Sequence, residues 1–418
     1  MVDIDPNLPM HVVRFHTKDK RKNKRDDKFE ITRQVAGIRD TNNYQDLVKE
    51  SLRTAASDYK VNNNLIKDDQ TIVDLNLYDI PQVHLKLTDE QAASLRRDPN
   101  VWFVERAKIR RAAAQAVPWG ITRVKSAPTQ VDKTKYHRGL GVKVAIADSG
   151  FDFNHVDLAP NYKGGMTSVA GTTTPMDDFN PEYHGTHVAG TVGAADNNDG
   201  VVGVAPEAWL YAVKVLDSKG VGLNTDVAEG YVWCNSNGMQ IVNSSFGGAG
   251  FDQGESDAVH AGYLNNVFWG CAANNNGRNE VLYPAAYPNV WCVGSVGQTD
   301  TISTFSNWGP VGFVDFVGPG ENIQSDMPNN KLQVLNGTSM ATPHICGLAT
   351  LAFANYRFSP CDTNTFAPTQ PKIVQIVGAM ISSCDTLGKT SPGVQSADGK
   401  YGFGMPQANT LLKLMAGV

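Results

Sequence analysis

Three short segments carry residue types that together can do covalent chemistry. Asp148-Ser-Gly150 directly follows an apolar run. His184-Gly-Thr-His-Val-Ala-Gly190 sets two histidines three apart among small residues, and Asn336-Gly-Thr-Ser-Met-Ala-Thr-Pro-His344 puts Ser339 ahead of an apolar stretch. Each has a plain structural reading: an acid after a strand caps a turn, and a serine before an apolar run caps a helix. Two histidines so spaced, with no nearby Cys or Glu, make a poor zinc site. The small residues around them predict a helix that passes very close to a neighbouring backbone. Pro343 is expected in the first turn of the last segment's helix, with Ile345 to Phe353 as its buried continuation. As a set the segments say more. A serine nucleophile needs a base to take its proton, and that base needs an acid to hold it in one tautomer. Asp148, His184 and Ser339 supply all three.

Elements that position such a set are legible around it. Val142 to Ala147, Trp209 to Val215, Gln240 to Ser244, Val267 to Ala272 and Val290 to Gly294 are short, nearly continuous apolar runs between Gly-rich turns and helical stretches. Such runs are strands buried on both faces of a parallel sheet, so the second part of the chain reads as α/β, with functional residues at the strand ends. The first part differs in composition. Residues 1–113 carry 21 Lys+Arg and 18 Asp+Glu, about 35% charged, whereas 114–418 carry 16 and 24, about 13%. Only Gly37 of the 39 glycines precedes the boundary, and all six cysteines follow it. The chain therefore reads as two domains, 1–113 and 114–418. In the first, Met10 to Phe15, Val73 to Tyr78, Gln82 to Leu87 and Trp102 to Arg106 read as strands and Tyr44 to Tyr59 as a helix. A second helix opens at Thr88, which suggests a split βαβ sandwich.

The chain order Asp, His, Ser is that of the subtilisins, as opposed to chymotrypsin or the α/β-hydrolases. The second domain resembles a subtilisin-like serine protease along its whole length, through Asp148 to Leu158, His184 to Thr191, Asn243-Ser-Ser-Phe-Gly247 and Gly337 to His344. The resemblance implies a three-layer α/β catalytic domain with a parallel sheet. The first domain similarly looks like the ferredoxin-like α+β propeptide of secreted subtilisins, a chaperone and inhibitor, with Val101 to Ala107 as its last strand. By the same resemblance the chain cuts itself between Ala113 and Ala114; Arg110-Arg111 offers a basic-specific protease an alternative site. The oxyanion donors implied are the Ser339 N–H and the side chain of Asn275, selected from Asn274-Asn-Asn276 by alignment on Gly277. The pocket before the scissile bond is implied to be walled by Ser245, Phe246 and Gly247 and by Ala272, Ala273 and Asn274. No carboxylate stands there, so uncharged side chains are expected to be preferred, in a slot narrowed by Asn274 in place of the family's Gly. A structural Ca²⁺ is implied, held by the side chains of Gln115, Asp157 and Asn197 and the main-chain oxygens of Ala195, Asp199 and Val201. All are the oxygen donors that this hard cation takes.

With 37 Lys+Arg against 42 Asp+Glu the net charge is −5, which gives no sign of a nucleic-acid partner. No run of eighteen apolar residues is present, so no transmembrane segment is expected. Residues 1–28 are polar with a basic run at 18–25, which is not the pattern expected of a secretory leader. The resemblance implies a secreted monomer whose leader is not in this chain, with a cytoplasmic protein as the alternative. Cys271, Cys292 and Cys346 read as packed free thiols, while Cys361 and Cys384 lie in polar segments where pairing is open. The only two glycosylation sequons, at Asn243 and Asn336, fall inside the motifs and are expected to stay unmodified. The reading is an endopeptidase zymogen acting on proteins or peptides through an acyl-enzyme on Ser339, with its own propeptide as inhibitor. The alternatives are a ligase or macrocyclase of the same fold that passes the acyl group to an amine, an intracellular subtilisin, disfavoured by the long first domain, and a non-catalytic binding protein, disfavoured by the intact triad.

Overall fold

The computed structural model describes residues 10–15, 71–74, 82–86 and 101–106, single positions between 89 and 97, and residues 115–416 apart from 178, 180, 181, 357–371, 389 and 390. The expected helix at 44–59, the Ala113–Ala114 bond and Cys361 lie outside the described residues. The chain divides into two compact units, Met1–Ala112 and Ala113–Val418.

In the first unit, β1 (Met10–Phe15), β2 (Thr71–Asp74), β3 (Gln82–Lys86) and β4 (Val101–Arg106) form an antiparallel sheet in the order β2-β3-β1-β4. Met10 pairs with Lys86 and Arg14 with Gln82.

The second unit is built on a seven-stranded sheet of β5 (Lys143–Asp148), β6 (Tyr162–Thr167), β7 (Trp209–Lys214), β8 (Ile241–Ser244), β9 (Phe268–Ala272), β10 (Trp291–Val296) and β11 (Phe316–Pro319). Its order is β11-β10-β9-β8-β5-β7-β6, and every neighbouring pair is parallel. The five expected strands are all present. The two outermost were not legible: β6 contains Gly164-Gly165 and is only partly buried, and β11 is four residues long.

Parallel neighbours need crossovers, and helices supply them. α1 (Trp119–Arg123) precedes the sheet; α2 (His184–Gly193), α3 (Asn224–Ser236) and α4 (Gln253–Leu264) lie between its strands, and α5 (Thr338–Asn355) follows. α2 and α5 pack together, as do α3 and α4, and each pair lies against the sheet. All eighteen residues of α5 are buried, and all but His344 and Asn355 are apolar or small, as a helix in the middle of a core requires. α6 (Ile373–Ser382) and α7 (Ala408–Ala416) cover it.

From β5 the chain visits β6 and β7 on one side, then returns to lay β8 to β11 on the other. The order therefore reverses between β5 and β8, and a ligand crevice opens outside the carboxyl ends of strands at such a switch point. Asp148 ends β5 and Ser245 follows β8, with Ala147 and Ser244 paired across the two strands.

α2 delivers His184 to that crevice by close approach. A Cβ on Gly185 would lie 2.0 Å from the carbonyl oxygen of Gly150, and one on Gly190 2.4 Å from Ser325 Oγ. The small residues of the motif thus allow the close contacts that their composition predicts. Gly185→Ala should cost about 1–3 kcal/mol through overpacking, measured by denaturant unfolding in a Ser339→Ala background that prevents autolysis; an unchanged midpoint would refute the contact.

Candidate active site

Asp148 is fully buried, and its carboxylate oxygens lie 2.9 and 3.0 Å from His184 Nδ1. The carboxylate also accepts the Ser149 N–H at 2.7 Å. A second acid, not singled out in the sequence, stands behind this pair. Asp177 accepts from Ser149 Oγ at 2.9 Å and from the N–H and hydroxyl of Thr186 at 2.9 and 2.8 Å. Ser149 Oγ in turn accepts the Gly185 N–H at 3.0 Å. The loop after β5 and the first turn of α2 are thereby fastened to each other. Burial pushes the Asp177 carboxyl up to about 6 despite these donors. The buried Lys214 closes the arrangement, donating to Ser149 O at 2.8 Å and Leu216 O at 2.9 Å. The available signal was an Asp seven positions before His184, which no spacing rule distinguishes from a surface acid.

Ser339 is the second residue of α5, so its N–H is among those a helix start leaves unpaired. α5 begins at Thr338, earlier than expected, and Pro343 is therefore its sixth residue, in the second turn and not the first. A proline there cannot donate to the carbonyl four residues back, which is that of Ser339. Ser245 Oγ takes over that acceptor at 2.9 Å, while Ser339 Oγ donates to Ser245 O at 2.8 Å. The two serines thus exchange hydrogen bonds across the crevice. At rest the Ser339 hydroxyl is engaged with Ser245 and not with His184.

Asn275 is held from behind. Its Oδ1 accepts both the N–H and the hydroxyl of Thr338, each at 2.9 Å, and its Nδ2 makes no hydrogen bond among the described residues. That leaves Nδ2 and the Ser339 N–H, at the start of α5, as two donors beside one hydroxyl. Asn274 adopts φ +79°, the left-handed region that the Gly it replaces enters freely. Its amide lies against Gly247, where a Cβ would meet Nδ2 at 2.2 Å, and Nδ2 donates to Ala272 O at 3.1 Å.

The other histidines of the motifs are structural. His187 donates from Nε2 to Ile323 O at 2.9 Å and is pushed down to about 3 by burial. His344 donates from Nδ1 to Met340 O at 2.8 Å and is pushed down to about 4 for the same reason. Cys271, Cys292 and Cys346 are buried free thiols, and burial raises each above its ordinary range.

A sequence model of the subtilase family matches residues 139–404. The chain belongs to the subtilase family. M-protease of Shouchella clausii (strain KSM-K16) is 40% identical over 275 residues, 65% of this chain and 69% of the relative. Subtilisin E of Bacillus subtilis (strain 168) is 40% identical over 273 residues, 64% and 69% of the two chains. Subtilisin BL of Lederbergia lenta is 43% identical over 241 residues, 57% and 84%. As a subtilase, the protein is a serine endopeptidase. No helix among the described residues is long and apolar enough to cross a membrane.

His184 titrates under two opposed influences. Burial disfavours the imidazolium, but the Asp148 charge and hydrogen bond, with Asp177 and Glu182 behind them, hold its pKa above the ordinary 6.5. Because the folded value is raised, the pair's contribution to stability is fully present below the unfolded pKa. It is lost as pH rises through the folded one. Activity runs the other way, since only the neutral ring can accept a proton. The acid limb of kcat/KM should therefore have its midpoint above 6.5, and Asp148→Asn should move it down; a wild-type midpoint at or below the ordinary value would contradict this electrostatic account.

Proposed function

We propose that this subtilase cleaves peptide bonds through an acyl-enzyme on Ser339, as the catalytic unit of a self-processing zymogen. The observation that carries the proposal is the bond from Asp148 to His184 Nδ1, set at the switch point where Ser339 is tied to the neighbouring strand. On substrate binding the Ser339 hydroxyl turns from Ser245 O to His184 Nε2. Its oxygen attacks the carbonyl carbon as His184 takes the proton, and the carbonyl electron pair moves to oxygen, facing the Ser339 N–H and Asn275 Nδ2. Collapse breaks the C–N bond, the leaving amine takes the proton from His184, and water repeats the sequence to release the acid.

The charge-rich first unit, with its antiparallel β2-β3-β1-β4 sheet, supports reading it as the propeptide, cut off after Ala113 and afterwards an inhibitor. The resemblance to secreted subtilisins supports action outside the cell, as a monomer on protein or peptide substrates. Ser339→Ala should reduce turnover about a millionfold, the magnitude already established for loss of the nucleophile in subtilisin itself, and should leave the chain uncut at Ala113. Asn275→Ala should cost roughly a hundred- to a thousandfold, since one donor remains. Labelling of another residue by a fluorophosphonate, or cleavage of the pure Ser339→Ala chain seen by mass spectrometry, would count against the assignment.

A calcium ion is proposed on the loop after α2. Gln115 Nε2 lies 2.6 Å from Ala195 O and 2.9 Å from Val201 O, and Asn197 Nδ2 lies 3.0 Å from Asp157 Oδ1. Side-chain amides thus reach oxygens of the ligand set, and turning the Gln115 amide about its last bond offers oxygen where nitrogen now points. Asn197 Oδ1 accepts the Asp199 N–H at 2.9 Å, which curls the loop. Gly200, at φ +47°, comes so near that a Cβ would lie 1.9 Å from Asp157 Oδ2. These residues fit a hard cation. Bound to the folded state alone, it would supply stability by mass action.

Specificity follows from Asn274. Its backbone is fixed at N by Thr338 Oγ1 at 3.1 Å and at O by the Asn307 N–H at 2.8 Å, so its amide is held in the slot between the two wall segments. Small uncharged side chains before the scissile bond should be preferred. On a peptide series varied at that position, Asn274→Gly should raise kcat/KM for Phe or Leu about tenfold or more relative to Ala, the order that one or two methylenes are worth in an apolar pocket; equal gains for all, or strong wild-type cleavage after Arg, would refute the plug.

A further inference from the structure

Beside the proposed calcium ligands lies a buried group of three side chains that the hydrolytic site does not use. His155, Asp157 and Asp326 are all essentially without solvent exposure, and one ligating atom of each falls within 4.8 Å of the others. Asp326 belongs to β12 (Ile323–Met327), which packs on α2. The missing side chain of Gly190 makes its space: a Cβ there would lie 2.7 Å from Asp326 Oδ2.

Neither oxygen of Asp326 has a hydrogen-bond partner, and no lysine or arginine pairs with it among the described residues. The ionisable groups that face it are the carboxylates of Asp157 and Asp152 and the ring of His155, whose Nε2 is 3.8 Å away. His155 does not supply the missing positive charge. Its Nδ1 accepts the Asp157 main-chain N–H at 3.2 Å, which places the ring's one proton on Nε2. The same hydrogen bond leaves Nε2 without a lone pair for a transition metal. Two carboxylates in one dry interior with no cation are strongly disfavoured. One divalent ion beside two carboxylates sums to zero charge.

We propose that Asp326 is a second carboxylate of the calcium centre, set within 4.8 Å of Asp157 and neutralising the ion from within the fold. This rests on the calcium reading above. Asp157 alone would leave a bound Ca²⁺ with one uncompensated positive charge on the buried side of the site; Asp326 removes it and tightens binding.

The test uses the processed enzyme, blocked with a fluorophosphonate and stripped of metal with EDTA. Calcium affinity is measured by calorimetry, and melting temperature with and without calcium. Asp326→Asn should weaken calcium roughly ten- to a hundredfold, the order expected for one unit charge about 5 Å from a divalent ion whose field is screened as in water, as on a loop open to solvent. It should leave the calcium-free melting temperature unchanged or higher, because the buried acid it replaces has neither a hydrogen-bond donor nor a counter-charge there, while reducing the rise that calcium produces. Asp326→Ser, smaller and uncharged, should behave the same way. Unchanged affinity in both variants overturns the proposal, as does an equal fall in melting temperature with and without calcium, which marks an ordinary packing role. Wild-type enzyme that binds no calcium overturns the calcium reading and this proposal with it.

Discussion

Pro343 cannot return a hydrogen bond to the carbonyl of Ser339, and much of the site is arranged around what does. Ser245 Oγ fills that acceptor, and its own carbonyl takes the Ser339 hydroxyl, so the start of α5 is stitched to the end of β8 at two points. Asn243 Nδ2 donates to the same Ser245 Oγ at 2.9 Å, which fixes the direction of the hydroxyl's own proton. A backbone vacancy in one helix is thereby satisfied by the strand next to the one that ends in Asp148. An unpaired buried carbonyl would be costly, and this pairing makes the position of Ser339 a consequence of hydrogen-bond satisfaction in the core.

The acid and base are held by a separate network. Asp148 and His184 belong to β5 and α2, and their alignment depends on how closely those elements approach. Gly185 against Gly150 allows the approach, and Ser149, Asp177, Thr186 and Lys214 join the two backbones through polar groups that are all buried. Such a network is stabilising only when every member is satisfied. Asp177 meets that condition with four donors around one carboxylate, the Phe179 N–H at 3.2 Å being the fourth, and Lys214 by donating to two carbonyls. The geometry of His184 is in this sense over-determined, as catalytic preorganisation requires.

α2 links the two regions of chemical interest. Its first residue is His184, and after ten residues it runs out directly into the loop that carries Ala195, Asn197, Asp199 and Val201. Hydrogen bonds from Gln115 to Ala195 O and Val201 O, and from the Val201 N–H to Asp157, also anchor the far end of the helix whose near end bears His184. Ser325 Oγ, donating to His187 O at 2.7 Å, fixes the middle of the same helix to β12.

The sequence by itself determined the residue types, their order and the elements that bear them. Asp148, His184 and Ser339 were legible because each sits where a local pattern changes, at the end of an apolar run or the start of a helical one. The five central strands were legible because burial on both faces leaves continuous apolar runs. Asn275 was legible only through alignment with a family, since nothing local separates it from Asn274 and Asn276. What the tertiary structure decided depends on contacts remote in the chain. Asp177 became a supporting acid because two turns from different elements close around it. The Asn274 amide came to lie against Gly247 because that glycine, on the neighbouring strand's extension, offers it room. Asp326 became one of a buried pair of carboxylates because a glycine on α2 lets its strand come near Asp157. In each case a short-range pattern shows only a polar residue in a loop or edge strand, and the electrostatic consequence arises from burial, which sequence periodicity does not resolve for residues outside regular elements.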